Sequence, residues 1–403
     1  MRVRIVGVGG REMALAWRLA KDPNVTQLQV ARPHPGWPSR TVVVDTLNAE
    51  QTDLVIVGPE APLVDGLADT CAAQGIPCFG PTAAAAQLEA SKSWAKEVML
   101  AAGVSTAAHH TVALSDPELD RIALHMAADG VVLKADGLAG GKGVFVCDEA
   151  DDVRRALVAL RAHPGSAAKQ IVVEERLTGP ETSVFGITDG TRIVGLPSSR
   201  DHKRLFDGAL GPNTGGMGAI APDPNMTAEG VETVLRQVHE PVLAELRKRG
   251  LSYRGVLYAG LMLTPSGPRV LEFNIRFGDP ECQALMALWT DPLRWLYGAA
   301  TGCLPEGQPD IADGAACCVV LAAPGYPTKP IRGALIPTPQ ETPSSTVFQA
   351  GVALQAGALT AAGGRVLGAT GWGATLTQAR THAYSAAESV RFDGAHIRSD
   401  IGL

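Results

Sequence analysis

The sequence predicts a multidomain chain of mixed α/β and α+β character: an amino-terminal doubly wound α/β domain, a larger and mainly antiparallel central region, and a small carboxy-terminal domain. Three observations carry that expectation. Through residue 87, strand-length apolar runs alternate with helical periodicity, the pattern of a parallel sheet covered by helices. From Val131 onward, strand-like runs follow one another with a single helical stretch among them. A chain of 403 residues also exceeds what one core holds, so it should divide into roughly two to four domains.

The composition, 46% hydrophobic and 19% charged, is that of a globular enzyme, and a formal net charge of -6 argues against a nucleic-acid partner, which calls for a basic stripe. Seven cysteines without a C-x-x-C pair fit neither a disulfide framework nor a zinc site, so a cytoplasmic location is expected. Met1 leads straight into a strand, and no run of about 20 apolar residues occurs that would span a membrane.

Arg2 to Val8 forms the first strand, Gly7-Val-Gly9-Gly10 a tight turn, and Arg11 to Lys21 a helix. A dinucleotide fingerprint is excluded, because its sixth position holds Glu12 and the next strand, Gln27 to Val30, ends at Arg32 where an acid for a ribose belongs. What remains is either an anion site at a helix N-terminus or a glycine turn that packs helix on strand. Leu54 to Val57 is a buried strand that ends in Gly58-Pro59-Glu60, at the carboxyl edge where open α/β sheets place ligands. A helix from Val64 to Gln74, a strand from Ile76 to Phe79 and a long helix from Ala83 to Ala102 follow.

Val131 to Lys134 delivers a lysine into Asp136-Gly137-Leu-Ala-Gly140-Gly141-Lys142-Gly143, and Val144 to Cys147 returns. Close-approach glycines and two ammonium groups suit a triphosphate; the alternative is a flexible hairpin with solvated lysines. It is not a P-loop, since Asp136 and Gly143 stand where that motif needs Gly and Ser or Thr. A helix is expected at Ala150 to Ala162, and strands at Ile171 to Glu174, Thr182 to Ile187 and Arg192 to Leu196. In the strand beginning near Val270, residues two apart share a face, so Glu272, Asn274 and Arg276 project together: two oxygen donors and a guanidinium, a set suited to Mg²⁺ on nucleotide phosphates.

Taken in order, Gly9-Gly10-Arg11-Glu12, Val57-Gly-Pro59-Glu60-Ala-Pro-Leu63, Gly80-Pro-Thr82, Ser91-Lys92, Lys134 to Gly143, Asp201-His-Lys203-Arg204, Gly211-Pro-Asn213-Thr214-Gly215-Gly216-Met217-Gly218 and Glu272 to Glu281 resemble the phosphoribosylamine–glycine ligase (glycinamide ribonucleotide synthetase) family. The resemblance covers nearly the whole chain, including Gly325-Tyr-Pro327, Phe348-Gln-Ala-Gly351 and Gly363-Gly-Arg-Val366. It implies an ATP-grasp enzyme of purine synthesis, with an amine- and phosphate-binding domain at 1–87, an ATP-grasp region at 88–300 with a lid at about 111–176, and a carboxy-terminal domain at 301–403.

The same resemblance implies ATP and Mg²⁺ or Mn²⁺. Lys92, Lys134, Gly140, Gly141 and Lys142 would hold phosphates, Glu174 and Glu175 would lie at the adenine, and Glu181 at the ribose. Glu272 and Asn274 would bind the metal, and Arg276, Asp201 and Lys203 would serve the acyl phosphate. Gly9, Gly10, Arg11, Glu12, Pro59 and Glu60, with Asn213, Thr214, Gly215, Gly216 and Met217, would bind substrate. The partners are small molecules, with neither nucleic acid nor membrane among them, and the oligomeric state stays open.

Two departures fall in the amino-terminal domain. Met13 stands where the family has His, and Ala31-Arg-Pro-His-Pro-Gly-Trp-Pro38 replaces a Pro-Gly-Asn loop; the segment from Arg40 to Asp53 is also short. They leave open a related ligase for another amine or amino acid. A non-catalytic nucleotide-binding module would require loss of Glu272, Asn274, Arg276 or the lid lysines, and all are present.

Overall fold

The computed structural model describes residues 1–138, 143–162 and 170–403. The amino-terminal sheet is wholly parallel, in the order β3-β2-β1-β4-β5, from β1 (Arg2–Val6), β2 (Gln27–Val30), β3 (Thr41–Val43), β4 (Leu54–Val57) and β5 (Cys78–Phe79). Helix α1 (Gly10–Leu19) covers one face with Met13, Leu15 and Leu19 buried. The expected helix from Val64 to Gln74 is two pieces, α2 (Ala61–Val64) and α3 (Leu67–Ala73). Gly66 parts them at φ +88°, a left-handed conformation that glycine adopts without strain.

No helix connects β3 to β4. A strap from 44 to 53 crosses the sheet instead, and the strands beneath it are polar. Arg4 donates to the Val44 carbonyl, Gln29 Nε2 to Gln51 O at 2.7 Å, Thr52 Oγ1 to Gln29 Oε1 at 2.8 Å, and Arg2 pairs with Asp53 at 2.8 Å. Backbone carbonyls with no helical ladder need donors, and Arg and Gln supply them where a helix would have offered apolar side chains.

The long helix expected from Ala83 to Ala102 is also divided, into α4 (Gln87–Ala90) and α5 (Lys92–Ala101). Ser91 is extended, at φ -125° and ψ 114°, and its Oγ caps the Trp94 N–H at 3.1 Å. The Asp136 carboxylate takes the Lys92 N–H at 2.6 Å and the Ser93 N–H at 3.2 Å, so a side chain distant in sequence terminates the helix that periodicity alone would continue.

The lid sheet is antiparallel, in the order β6-β9-β7-β8: β6 (His109–Ala113), β7 (Val131–Ala135), β8 (Val144–Cys147) and β9 (Gln170–Glu175). Two helices pack on it where one was expected, α6 (Leu119–Met126) and α7 (Ala150–Ala162). The second sheet, β11-β10-β16-β17, comprises β10 (Glu181–Thr188), β11 (Ile193–Gly195), β16 (Gly255–Thr264) and β17 (Gly267–Asn274). Behind it lie α5, α8 (Ala228–Val234), a π-helical turn and α9 (Glu240–Lys248).

Helices α10 (Glu281–Leu288) and α11 (Pro292–Thr301) join this region to the amino-terminal core. The last sheet, β12-β15-β18-β22-β19, crosses the expected boundary at 301. It combines β12 (Arg200–Asp201) and β15 (Gly218–Ala221) with β18 (Ala315–Ala322), β19 (Ser345–Gln349) and β22 (Arg365–Gly373). Helix α12 (Leu376–Ser389) backs it, and two hairpins flank it: β13 (Arg204–Phe206) with β14 (Leu210–Asn213), and β20 (Val352–Gln355) with β21 (Ala358–Ala361). Among the described residues, no helix is long and apolar enough to cross a membrane.

Candidate active site

The two antiparallel sheets face each other across the residues that carry charge. From the lid side, β7 brings Lys134, whose Nζ lies 2.9 Å from Glu174 Oε2 and donates to the Leu271 carbonyl of β17 at 2.9 Å. From α5 comes Lys92, whose Nζ donates to Gly137 O at 2.9 Å, at the root of the glycine-rich hairpin. Lys203, just past β12, pairs with Glu181 of β10 at 2.8 Å. Gly140, Gly141 and Lys142, expected on the phosphates, lie outside the described residues.

These three lysines surround Glu272. Burial raises its carboxyl, yet Lys203, then Lys134 and Lys92, outweigh it and hold the group below its ordinary value, so it is ionised. Among the described residues neither Glu272 nor Asn274 has a side-chain hydrogen-bond partner, although Asn274 is 8% exposed. Two uncommitted hard oxygen donors on one strand fit Mg²⁺ or Mn²⁺. No group of three or more His, Cys, Asp or Glu forms a cage among the described residues, so a cation held here takes its remaining ligands from phosphates and water.

Arg276 lies beyond the end of β17 instead of extending its face. Its guanidinium is clamped by Glu60 at 3.2 Å and Glu89 at 2.7 Å, and Glu89 also takes the Ile275 N–H at 2.8 Å. Burial opposes its charge, but Glu89 and Glu60 more than compensate and fix it as a cation. Asp201 is the opposite case. Burial, then the nearby Glu281, raises its carboxyl well above the ordinary range, and its Oδ1 is buried without a hydrogen-bond partner among the described residues. Glu281 in turn accepts from the buried Tyr258 hydroxyl at 2.8 Å.

Several expected ligands turn inward. Glu174 points off β9 into the core, 3.0 Å from Lys96 and 2.9 Å from Lys134, so its carboxylate positions lysines and is not offered to a base. Glu175, one residue on and therefore on the other face, is taken by Arg269 at 2.7 Å and the Ala108 N–H at 2.8 Å. Glu12 sits under the glycine turns and pairs with Arg11 at 2.8 Å; a β-carbon at Gly58 would lie 1.9 Å from its Oε1, which is why that position is glycine. Pro59 is half-buried with its ring against Gly7, and Met217 is fully buried in the carboxy-terminal core.

Of the loop before Met217, Asn213 is exposed, Thr214 Oγ1 takes the Gly216 N–H at 3.0 Å, and Gly216 has φ +104° with Asp201 against it. Arg11 donates to Phe277 O at 2.8 Å. Gly9 and Gly10 open α1, and Asp279 stands at that opening.

Models of the phosphoribosylglycinamide synthetase N domain, ATP-grasp (A) domain and C domain match residues 1–89, 90–282 and 316–403. The chain belongs to the phosphoribosylglycinamide synthetase family. It is 43% identical over 416 residues to a phosphoribosylamine–glycine ligase of Rhizobium meliloti, covering 100% of this chain and 98% of the relative. A crystal structure of the phosphoribosylamine–glycine ligase from Thermotoga maritima superposes with a TM-score of 0.86 at 33% identity, over 100% of both chains. The biotin carboxylase domain of Hydrogenobacter thermophilus 2-oxoglutarate carboxylase, solved with MgADP, shares the fold, with a TM-score of 0.73 at 18% identity over 98% of this chain and 91% of that one.

Against that phosphoribosylglycinamide synthetase background, the two departures have definite places. Met13 is 1% exposed, in the core where α1 packs on α10. The 31–38 loop leans on the carboxy-terminal domain: a β-carbon at Gly36 would lie 2.8 Å from Gln349 Cβ. Burial lowers the His34 imidazole, against the pull of backbone groups at Ala350 and Val352.

Several residues of the site were missed in the sequence, among them Glu89, which clamps Arg276, and Tyr258, which donates to Glu281. Lys96 could have been found as the position one turn after Lys92 on α5. Asp136 hides within the hairpin motif. Tyr326 and Arg365 lie within Gly325-Tyr-Pro327 and Gly363-Gly-Arg-Val366, and contacts across 111 residues for Tyr326 and 150 for Arg365 leave no local signal of their role.

Proposed function

We infer that the protein joins glycine to phosphoribosylamine at the expense of ATP, yielding glycinamide ribonucleotide, ADP and phosphate in purine biosynthesis. The observation that carries the chemistry is the convergence of Lys92, Lys134 and Lys203 on the ionised Glu272 beside an uncommitted Asn274. A carboxylate oxygen of glycine forms a bond to the γ-phosphorus as the bond to ADP breaks. The amine nitrogen then bonds to the acyl carbon, phosphate leaves, and the amine gives up a proton.

Little covalent work falls to the protein, so catalysis is positioning and charge neutralisation. Lys134 and Lys92 would neutralise the nucleotide phosphates, and their hydrogen bonds to Leu271 O and Gly137 O aim them across the cleft. Arg276, held rigid by Glu60 and Glu89, would meet the acyl phosphate as a preorganised cation. Asp201, whose carboxyl burial and Glu281 hold toward its protonated form, would face glycine and its acyl phosphate as a hydrogen-bond donor. Glu272 and Asn274 would hold Mg²⁺, which neutralises phosphate charge and orients the transferring group when bound. Closing the lid over these groups would exclude water that otherwise hydrolyses the acyl phosphate. A cytoplasmic location belongs to the same proposal.

Product analysis by mass spectrometry tests this directly. Glycinamide ribonucleotide should form only when ATP, glycine and freshly generated phosphoribosylamine are all present. Product with a different amine or amino acid, and none with this pair, would overturn the assignment.

A further inference from the structure

The opening of α1, at the carboxyl edge of the parallel sheet, is not an empty anion site. Asp279 fills it. A β-carbon at Gly10 would lie 3.4 Å from Asp279 Oδ1 and one at Gly9 would lie 3.6 Å from Oδ2. The carboxylate is held there by Gln283 Nε2, which donates to Oδ1 at 2.8 Å, and by Arg365 Nη2 at 3.5 Å from Oδ2. Burial works against its charge, but Arg365 first, and then Arg11, keep Asp279 ionised. The positive end of α1 is therefore neutralised from within the protein, and a ligand at this edge meets a carboxylate before it meets free N–H groups.

Arg365 begins β22 in the carboxy-terminal domain, yet its contacts lie elsewhere. Nη1 donates to the Gly215 carbonyl, to Gly216 O at 3.4 Å and to Asp279 O at 2.5 Å. Tyr326 of the same domain accepts the Gly215 N–H at 3.0 Å, so Gly215 is held at both its N–H and its carbonyl. Gly216 backs directly onto Asp201: a β-carbon there would lie 2.6 Å from Asp201 Oδ1. One guanidinium thus ties the α1 opening, the Gly215–Gly216 peptide and the carboxy-terminal sheet together. A planar fork with five donors can do this, and an ammonium group cannot.

We propose that Arg365 is a positioning residue for the amine acceptor, acting through Asp279, and that the part of the acceptor which meets Asp279 is a hydrogen-bond donor, a sugar hydroxyl or the amine itself, while the phosphate binds elsewhere. This rests on the ligase assignment above. It places the carboxy-terminal domain in the acceptor site and not in the nucleotide site. Loss of the fork therefore weakens the acceptor and spares the activation of glycine.

The test separates the two half-reactions. Hydroxylamine, which needs no sugar-phosphate recognition, traps the activated glycine as its hydroxamate; phosphoribosylamine reports the full acceptor site. For Arg365→Gln, KM for phosphoribosylamine should rise at least about tenfold, while KM for ATP and the rate of hydroxamate formation change less than about twofold. Asp279→Asn should give the same split, and the double variant should be no worse than the weaker single one, because one residue acts through the other. Effects that multiply, or a parallel loss of hydroxamate formation, would overturn the proposal. If Arg365→Gln does not fold, Arg365→Lys carries the test with the same split at smaller size. Wild-type turnover with phosphoribosylamine tests the ligase assignment itself, so failure of that assignment is distinguishable from failure of this inference.

Discussion

Replacing Glu174 by Gln probes the charge balance on which the nucleotide side depends. Glu174 is the shared counter-charge of two nearly buried ammonium groups, Lys96 at 3.0 Å and Lys134 at 2.9 Å, with side chains 3% and 8% exposed. Breaking one partner out of a buried pair costs about 3–5 kcal/mol, because the remaining charge loses its compensation and keeps its desolvation. Lys96 has an escape. Burial already lowers it to about 8 against the pull of Glu174, and without that carboxylate it falls further and sheds its proton on folding.

The sign of the pH effect follows. In the variant the folded state holds Lys96 neutral, while the unfolded state keeps it protonated up to the ordinary lysine value. The unfolded state therefore binds more protons, and stability falls by about 1.4 kcal/mol for each unit the pH drops below that value. In the wild type this slope applies only above about 8. The deficit of the variant should be about 3 kcal/mol at pH 7, a loss in Tm of roughly 6–12 °C, and should shrink at pH 9. Differential scanning calorimetry at the two pH values measures it, and KM for ATP should rise because Lys134 loses one of its two anchors. A Tm change under about 2 °C at pH 7, or a deficit that grows toward pH 9, would refute the argument.

Three further outcomes are expected. Glu272→Gln keeps the shape but removes the charge that Lys203, Lys134 and Lys92 surround; ADP formation should fall at least about a hundredfold and Mn²⁺ binding by calorimetry should weaken, with the fold retained and Tm lowered because three lysines lose a counter-charge. Undiminished activity would mean the metal ligands are misplaced. Asp136→Ala strips the cap from the Lys92 and Ser93 N–H groups, so the central region should lose about 1–2 kcal/mol and KM for ATP should rise, by thermal unfolding and steady-state kinetics. Met13→His, which restores the residue the family carries, would bury an unpartnered imidazole at a position 1% exposed; it should cost about 1–3 kcal/mol and give no increase in turnover, and a gain in affinity for phosphoribosylamine would contradict the core placement of Met13.

The sequence made several elements legible because their apolar residues recur at strand or helix spacing. Gln27–Val30, Leu54–Val57, Val144–Cys147 and the helix Ala150–Ala162 lie where the pattern placed them. The failures share a cause, which is structure imposed from a distance. Ser91 ends a helix because Asp136, 44 residues beyond Lys92, caps the next one. Lys134, Glu272 and Asn274 were readable as chemistry because the residue types themselves state it. The inward turn of Glu174 and Glu12 was not, since a paired carboxylate and a ligand carboxylate look identical in a sequence. Arg365 was invisible for the same reason, as its partners lie in loops that only the folded chain brings to it.

The most direct test of the central claim uses glycine labelled with ¹⁸O in both carboxylate oxygens, together with ATP and phosphoribosylamine. If the carboxylate is activated by phosphorylation, one labelled oxygen must leave with the phosphate, and the amide product must keep the other. Phosphate carrying a single ¹⁸O for each glycinamide ribonucleotide formed is the predicted result. Unlabelled phosphate accompanying product would show that ATP is cleaved without passing its phosphoryl group through glycine, and would contradict the mechanism.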